Sequence, residues 1–95
     1  MNDLIRLHAI VEGTVQGVGF RYFVMDVAES LDLTGWVRNR WDGSVEVLAE
    51  GTQIDLEKLL TMLYRGPRSA EVRGVQPIWS EATGEFPGFN LRRTE

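Results

Sequence analysis

The amino-acid sequence predicts an α+β protein, a ferredoxin-like βαββαβ sandwich in which an antiparallel sheet carries two helices on one face. Three observations predict it. Short runs alternate apolar with polar residues, two longer segments switch to spacings of three and four, and these periods follow one another as β-α-β-β-α-β. At 95 residues the chain has room for one core, so 1–95 reads as a single domain.

The first strand is "LIRLHAIVE", residues 4–12, with Ile5, Leu7, Ala9 and Val11 on one face and Arg6, His8 and Glu12 on the other. A loop, "GTVQGVG", then leads into a helix. Phe20, Phe23, Val24, Val27, Ala28 and Leu31 recur there at the spacing of an amphipathic stripe. "TGWVRNR" is a short strand that puts Val37 and Asn39 on one side and Trp36, Arg38 and Arg40 on the other. Asp42-Gly43 reads as a hairpin turn, because both central positions of the two-residue form favour positive φ. "SVEVLAE" alternates again with Val45, Val47 and Ala49 inward. Thr52, three residues before Asp55, reads as the cap of a second helix striped by Leu56, Leu59, Leu60 and Leu63. "RGPRS" ends that helix, and "AEVRGVQPIW" is the fourth strand. Val72, Val75 and Trp79 share a face only if the strand slips by one residue, and Gly74 is the expected bulge. "GFNLR" is a short edge strand added at the end.

Composition removes several classes of function. Hydrophobic content of 43% and charged content of 25% are those of an ordinary globular protein. The chain has no cysteine, which rules out disulfides, thiolate metal sites and a cysteine nucleophile, and fits a reducing compartment. A net charge of −4 disfavours nucleic acid as a partner, because phosphate neutralisation supplies most of that affinity. No apolar run approaches the ~20 residues of a membrane span, and "MNDLIRLHAI" lacks the layout of a signal peptide. A cytoplasmic monomer without a membrane partner is the expectation.

The loop carries the chemistry. Three glycines fall between positions 13 and 19, and Arg21 follows in the first turn of the helix. Backbone N–H groups in such a turn, with the helix N-terminus behind them, form a cradle for an anion, most naturally phosphate. Arg21 would add a planar, permanently charged fork. A cation in that position otherwise opposes the helix dipole by a few tenths to roughly 1 kcal/mol, a conflict that a bound anion removes. "GTVQGVGF" lacks the Lys-Ser/Thr of the Walker A loop, and "GVGFRY" has Tyr22 where the dinucleotide fingerprint requires glycine or alanine. The lone His8 alternates onto the polar face as an exposed strand residue, Arg38 and Arg40 read as solvated, and the three tryptophans read as packing. One histidine makes a zinc site improbable, and no two carboxylates are spaced for acid-base work. Asn39 lies on an otherwise apolar face, where a polar group needs a partner. Its bland alternative is to cap the hairpin.

Two stretches together resemble the acylphosphatase family. "GTVQGVGFR" is similar to that family's signature G-x-V-Q-G-V-x-[FY]-R, and "GWVRNRWDGSVEVLAEG" to its second signature, with "RGPRSAEV" and "GEFPGFNLR" similar to later segments. The resemblance covers essentially the whole chain. It implies a hydrolase of carboxyl-phosphate mixed anhydrides that needs no metal and no organic cofactor. It further implies that the backbone of Val15, Gln16, Gly17, Val18 and Gly19 holds the phosphate with Arg21, while Asn39 orients the attacking water. The small-molecule partner would be an acyl phosphate. A non-catalytic anion-binding domain on the same fold is the alternative, and an RNA-recognition module is disfavoured because "VGFRYFV" lies in the first loop and helix instead of the third strand.

Overall fold

The computed structural model describes residues 3–95; Met1 and Asn2, part of the N-terminus read above as lacking a leader, lie outside them. In chain order the elements are β1 (Leu4–Thr14), α1 (Phe20–Ser30), β2 (Thr34–Asn39), β3 (Val45–Thr52), α2 (Gln53–Arg65), β4 (Glu71–Glu81) and β5 (Phe89–Leu91). The strands lie side by side as β4-β1-β3-β2-β5. The ferredoxin-like α+β architecture is the one the periodicities predict.

The first four strands in that row pair antiparallel, but β5 runs parallel to β2, so the sheet is mixed instead of wholly antiparallel. Chain length explains the direction. Residues 82–88 leave β4 at one edge and must reach the opposite edge, four strand spacings of ~4.8 Å away. Extended at ~3.3 to 3.6 Å per residue they just cover that crossing. Nothing is left to travel back along the sheet, so β5 sets off the way β2 does.

Leu7, Ala9, Val11, Val37, Val45, Val47 and Ala49 are buried on the helix side of the sheet, against Phe20, Val24 and Ala28 of α1 and Leu56, Leu59 and Leu63 of α2. The Thr52 hydroxyl accepts the Asp55 N–H at 3.3 Å, as its spacing predicts, and caps α2. The fourth strand slips as expected, but one residue away from Gly74. Glu12 opposes Gly74 while Gly13 opposes Val72, leaving Arg73 as the extra residue and returning Val72 to the inner face. The hairpin differs in detail. Only Gly43 takes positive φ, at 94°, and the Gly43 N–H donates to Arg40 O while the Arg40 N–H donates to Ser44 O. That is a three-residue loop closed by a glycine bulge, not the two-residue turn with both centres left-handed. The Asp42 carboxylate accepts the Ser44 N–H and hydroxyl inside it.

The face away from the helices is not a simple solvated surface. Glu46 and Glu50, on the central strand β3, are both buried. Glu50 accepts Arg6 Nε at 2.8 Å and the N–H groups of Thr83 and Gly84 at 2.9 and 3.0 Å, tying down the 82–88 crossing. Glu46 accepts Arg38 Nε at 2.7 Å and meets His8 Nε2 at 2.7 Å. The guanidinium of Arg38 lies 4.6 Å from the centre of the Trp36 ring, with Arg92 at 4.8 Å. His8 and Arg38 are therefore half-buried partners of Glu46, contrary to the expectation of solvated residues. Their face of the sheet is covered by the 82–88 crossing and by Glu95, whose carboxylate accepts Arg38 Nη1 at 2.7 Å. Of the tryptophans, Trp36 packs as expected, but Trp41 at the hairpin tip is 83% exposed and Trp79 on β4 is 40% exposed.

This network makes stability pH-dependent. Burial pushes the Glu50 carboxyl up, but the Thr83 and Gly84 N–H groups and Arg6 outweigh it, and the pKa is held below the ordinary glutamate value. Glu46 behaves alike: burial raises it, and the bonds to His8 and Arg38 lower it further. A depressed carboxyl pKa contributes stability that is fully present above the unfolded value of ~4.3 and is lost as pH falls through the folded one. The urea midpoint is therefore expected to drop between about pH 5 and pH 3, and to drop less for Glu50→Gln. Equal acid sensitivity of the two proteins counts against this account.

Candidate active site

Topology brings the loop and Asn39 together. Strands β1 and β2 both pair antiparallel with β3, so they point the same way and their carboxyl ends share one end of the sheet. Val45 opposes Val11 on one side and Asn39 on the other, so the three form one row. Past that row β1 continues into the 15–19 loop, and α1 starts above β2. Asn39 shares the helix-facing side with Val37, as its alternation predicts.

A cleft of about 100 Å³ opens there, lined by Val15, Gly17, Gly19, Phe20, Arg21, Tyr22 and Asn39. It thus unites Val15, Gly17, Gly19, Arg21 and Asn39 of the residues expected at a site. Gln16 and Val18 are not among the lining residues. Val18 packs against the core, and Gln16 turns its amide to the hairpin, donating from Nε2 to Arg40 O at 2.7 Å and to Ser44 O at 2.9 Å. Sequence reasoning missed this side-chain role and took Gln16 for its backbone alone. It also passed over Phe20 and Tyr22 as lining. Their adjacency to Arg21 in the first helical turn was the available signal.

Gly17 and Gly19 have φ of 73° and 77°, a left-handed conformation that favours glycine. A Cβ at either would meet nothing within 4 Å, so glycine is favoured there by the backbone bend and not by crowding. Gly19 is the N-cap of α1 and supplies no side-chain hydrogen bond; the first turn has no acidic residue. Helix α2 has both, in Thr52 and Asp55. The N-terminal dipole of α1 is thus left to the cleft and opposed by Arg21. Arg21 pairs with no carboxylate among the described residues, and its one hydrogen bond is a long donation from Nη1 to Arg92 O at 3.5 Å.

The Asn39 amide makes no hydrogen bond to the described residues, so it does not cap the hairpin; Asp42 does. Its backbone is fixed, since Asn39 O accepts the Glu95 N–H at 3.1 Å. Neither a carboxylate nor a histidine lines the cleft. No group of three His, Asp or Glu residues is placed to hold a metal ion among the described residues, and no helix is long and apolar enough to cross a membrane.

Fold and cleft together define a ferredoxin-like α+β domain with a glycine-bent, arginine-bearing pocket at the start of its first helix. Comparison with known proteins gives the class its name. The sequence profile of the acylphosphatase family matches residues 7–91, and the chain belongs to that family. It is 50% identical over 88 residues to an acylphosphatase of Salinibacter ruber, covering 93% of each chain. It is also 50% identical over 90 residues to one of Moorella thermoacetica, covering 95% of this chain and 96% of that one. Among solved structures it is similar to an acylphosphatase from Bacillus subtilis, with a TM-score of 0.89 at 38% identity over 93% of this chain and 98% of that one. The protein is a hydrolase of this kind.

Proposed function

We propose that the protein hydrolyses acyl phosphates to carboxylate and inorganic phosphate, holding the phosphoryl group on the Val15–Gly19 backbone and Arg21 and directing a water with Asn39. One observation carries the reading: an unpaired guanidinium, an uncapped helix N-terminus and an unpartnered amide meet in a single cleft. The first two attract an anion, and the third offers hydrogen bonds to a water beside it. Membership of the acylphosphatase family supports the substrate class.

The chemistry suits these groups. A carboxylic acid has a pKa near ~4, so the carboxylate leaves without a general acid, and the cleft has none to give. Phosphoryl transfer rests mainly on positioning and on stabilising charge over the equatorial oxygens. Arg21 and the loop N–H groups do that, while Asn39 aims the water in line with the leaving oxygen. The water oxygen bonds phosphorus as the bond from phosphorus to the acyl oxygen breaks. An amide is too weak a base to take the proton, which passes to a phosphoryl oxygen. No step needs a metal or an organic cofactor.

One chain of one domain provides the whole site, which supports a monomer, and the lack of cysteine fits the reducing cytoplasm. Purified protein is expected to hydrolyse benzoyl phosphate at the same rate with and without EDTA. Phosphate binding without turnover would make it an anion-binding domain instead, and inhibition by EDTA would remove the metal-free mechanism.

A further inference from the structure

We propose that the Gln16 side chain is a positioning residue that sets the separation between the phosphate loop and Asn39, and so governs the attack step more than phosphate binding. The inference rests on the function proposed above. Two segments far apart in the sequence must keep a fixed spacing for in-line attack, and their shared pairing through β3 stops short of the loop and of the hairpin that follows Asn39. Pairing of β1 and of β2 with β3 ends at the row Val11, Val45 and Asn39. Beyond it β1 stays paired only with β4, as far as Thr14, and then the loop, like the hairpin after Asn39, leaves the sheet. Among the described residues, the hydrogen bonds joining 15–21 to 39–44 past that row are the two from Gln16 Nε2, to Arg40 O at 2.7 Å and to Ser44 O at 2.9 Å.

The acceptors give these bonds their leverage. Arg40 O also accepts the Gly43 N–H, and Ser44 O also accepts the Arg40 N–H. Gln16 therefore holds the two carbonyls that close the hairpin, and Arg40 is joined to Asn39 by a peptide bond. Both acceptors are carbonyl oxygens, which only the NH2 end of the amide can satisfy, so its orientation is set. A carboxylate of the same length would face two carbonyls with no proton to offer. The phosphate side is anchored differently: Val15 is buried in the core, and Gly19 O accepts the Phe23 N–H of α1. Loss of the Gln16 bonds thus frees the hairpin relative to the loop and leaves the cradle intact.

The test compares wild type with Gln16→Met, which keeps the length without the donors, and Gln16→Glu, which replaces donors with acceptors. Three quantities are measured: kcat and KM for benzoyl phosphate, and competitive inhibition by inorganic phosphate, which reads the cradle and Arg21 alone. Expected for Gln16→Met is a fall in kcat of ~10- to 10²-fold, with the phosphate inhibition constant within about twofold of wild type. Gln16→Glu is expected to be slower still. The side-chain NH2 resonances of Asn39, which need no substrate, are expected to shift in both variants. An unchanged kcat overturns the proposal. So does parallel loss of kcat and phosphate inhibition, or loss of the folded state in both variants, because Gln16 would then be maintaining the loop or the fold. If wild type fails to hydrolyse the substrate, the proposed function falls, and the Asn39 resonances still decide whether Gln16 couples the two segments.

Discussion

Arg21→Gln is expected to lower kcat/KM for benzoyl phosphate by ~10³-fold or more, a larger loss than one preorganised neutral donor usually brings. The size follows from the two tasks that fall on one group. Arg21 is the cation lining the cleft, and no carboxylate of the described residues neutralises it. In the proposed mechanism its charge acts on the substrate in the ground state and on the oxygens of the transferring group in the transition state. Glutamine keeps hydrogen-bonding capacity but loses the charge and the fork, so KM should rise and kcat fall together. The fold should gain slightly. Removing a cation from an uncapped helix N-terminus relieves a few tenths to about 1 kcal/mol, read as a higher urea midpoint without phosphate. Phosphate should narrow that gap by stabilising the wild type more. A variant that keeps a tenth or more of wild-type kcat/KM would remove Arg21 from the mechanism.

Asn39→Ala is expected to cost ~10² to 10³ in kcat while leaving KM and phosphate inhibition nearly unchanged. The amide makes no hydrogen bond to a described residue, so its loss breaks none in the protein, and in the proposed mechanism it directs the water instead of holding the phosphate. Stability should move by less than ~1 kcal/mol, because the side chain is half-buried and the backbone bond from the Glu95 N–H to Asn39 O stays. Weakened phosphate inhibition in this variant would instead put Asn39 on the anion.

Local signals were legible where one residue carried them. Alternation set the inward faces of β1, β2 and β3, the Thr52 cap was readable three residues before Asp55, and the slip in β4 showed in Val72, Val75 and Trp79. The alternation of β2 turned Asn39 toward the helices, but only the resemblance to the acylphosphatase signatures joined it to Arg21. What escaped depends on pairs distant in the chain. Arg6 and Glu50 are 44 residues apart, and Gln16 and Ser44 are 28 apart. Alternation reports which face a residue occupies and is silent about what later covers that face. His8 and Arg38 were read as solvated for that reason. Strand register would have helped, since Arg6 directly opposes Glu50 and Arg38 directly opposes Glu46. The direction of β5 had no local signal either, because three residues carry no period and the reach of the preceding crossing decides it.

That short parallel strand has a consequence for how the molecule meets others. A sheet edge with free N–H and C=O groups invites foreign strands. Without β5, the exposed edge would be β2, the strand that ends in Asn39. Phe89–Leu91 occupies that edge, and the Arg92 and Glu95 N–H groups extend the pairing along β2 through Val37 O and Asn39 O. The other edge, β4, is long but interrupted by Pro77 and by the bulge at Arg73. Each rim thus discourages strand addition in its own way, and the rim next to the cleft is closed by the chain itself.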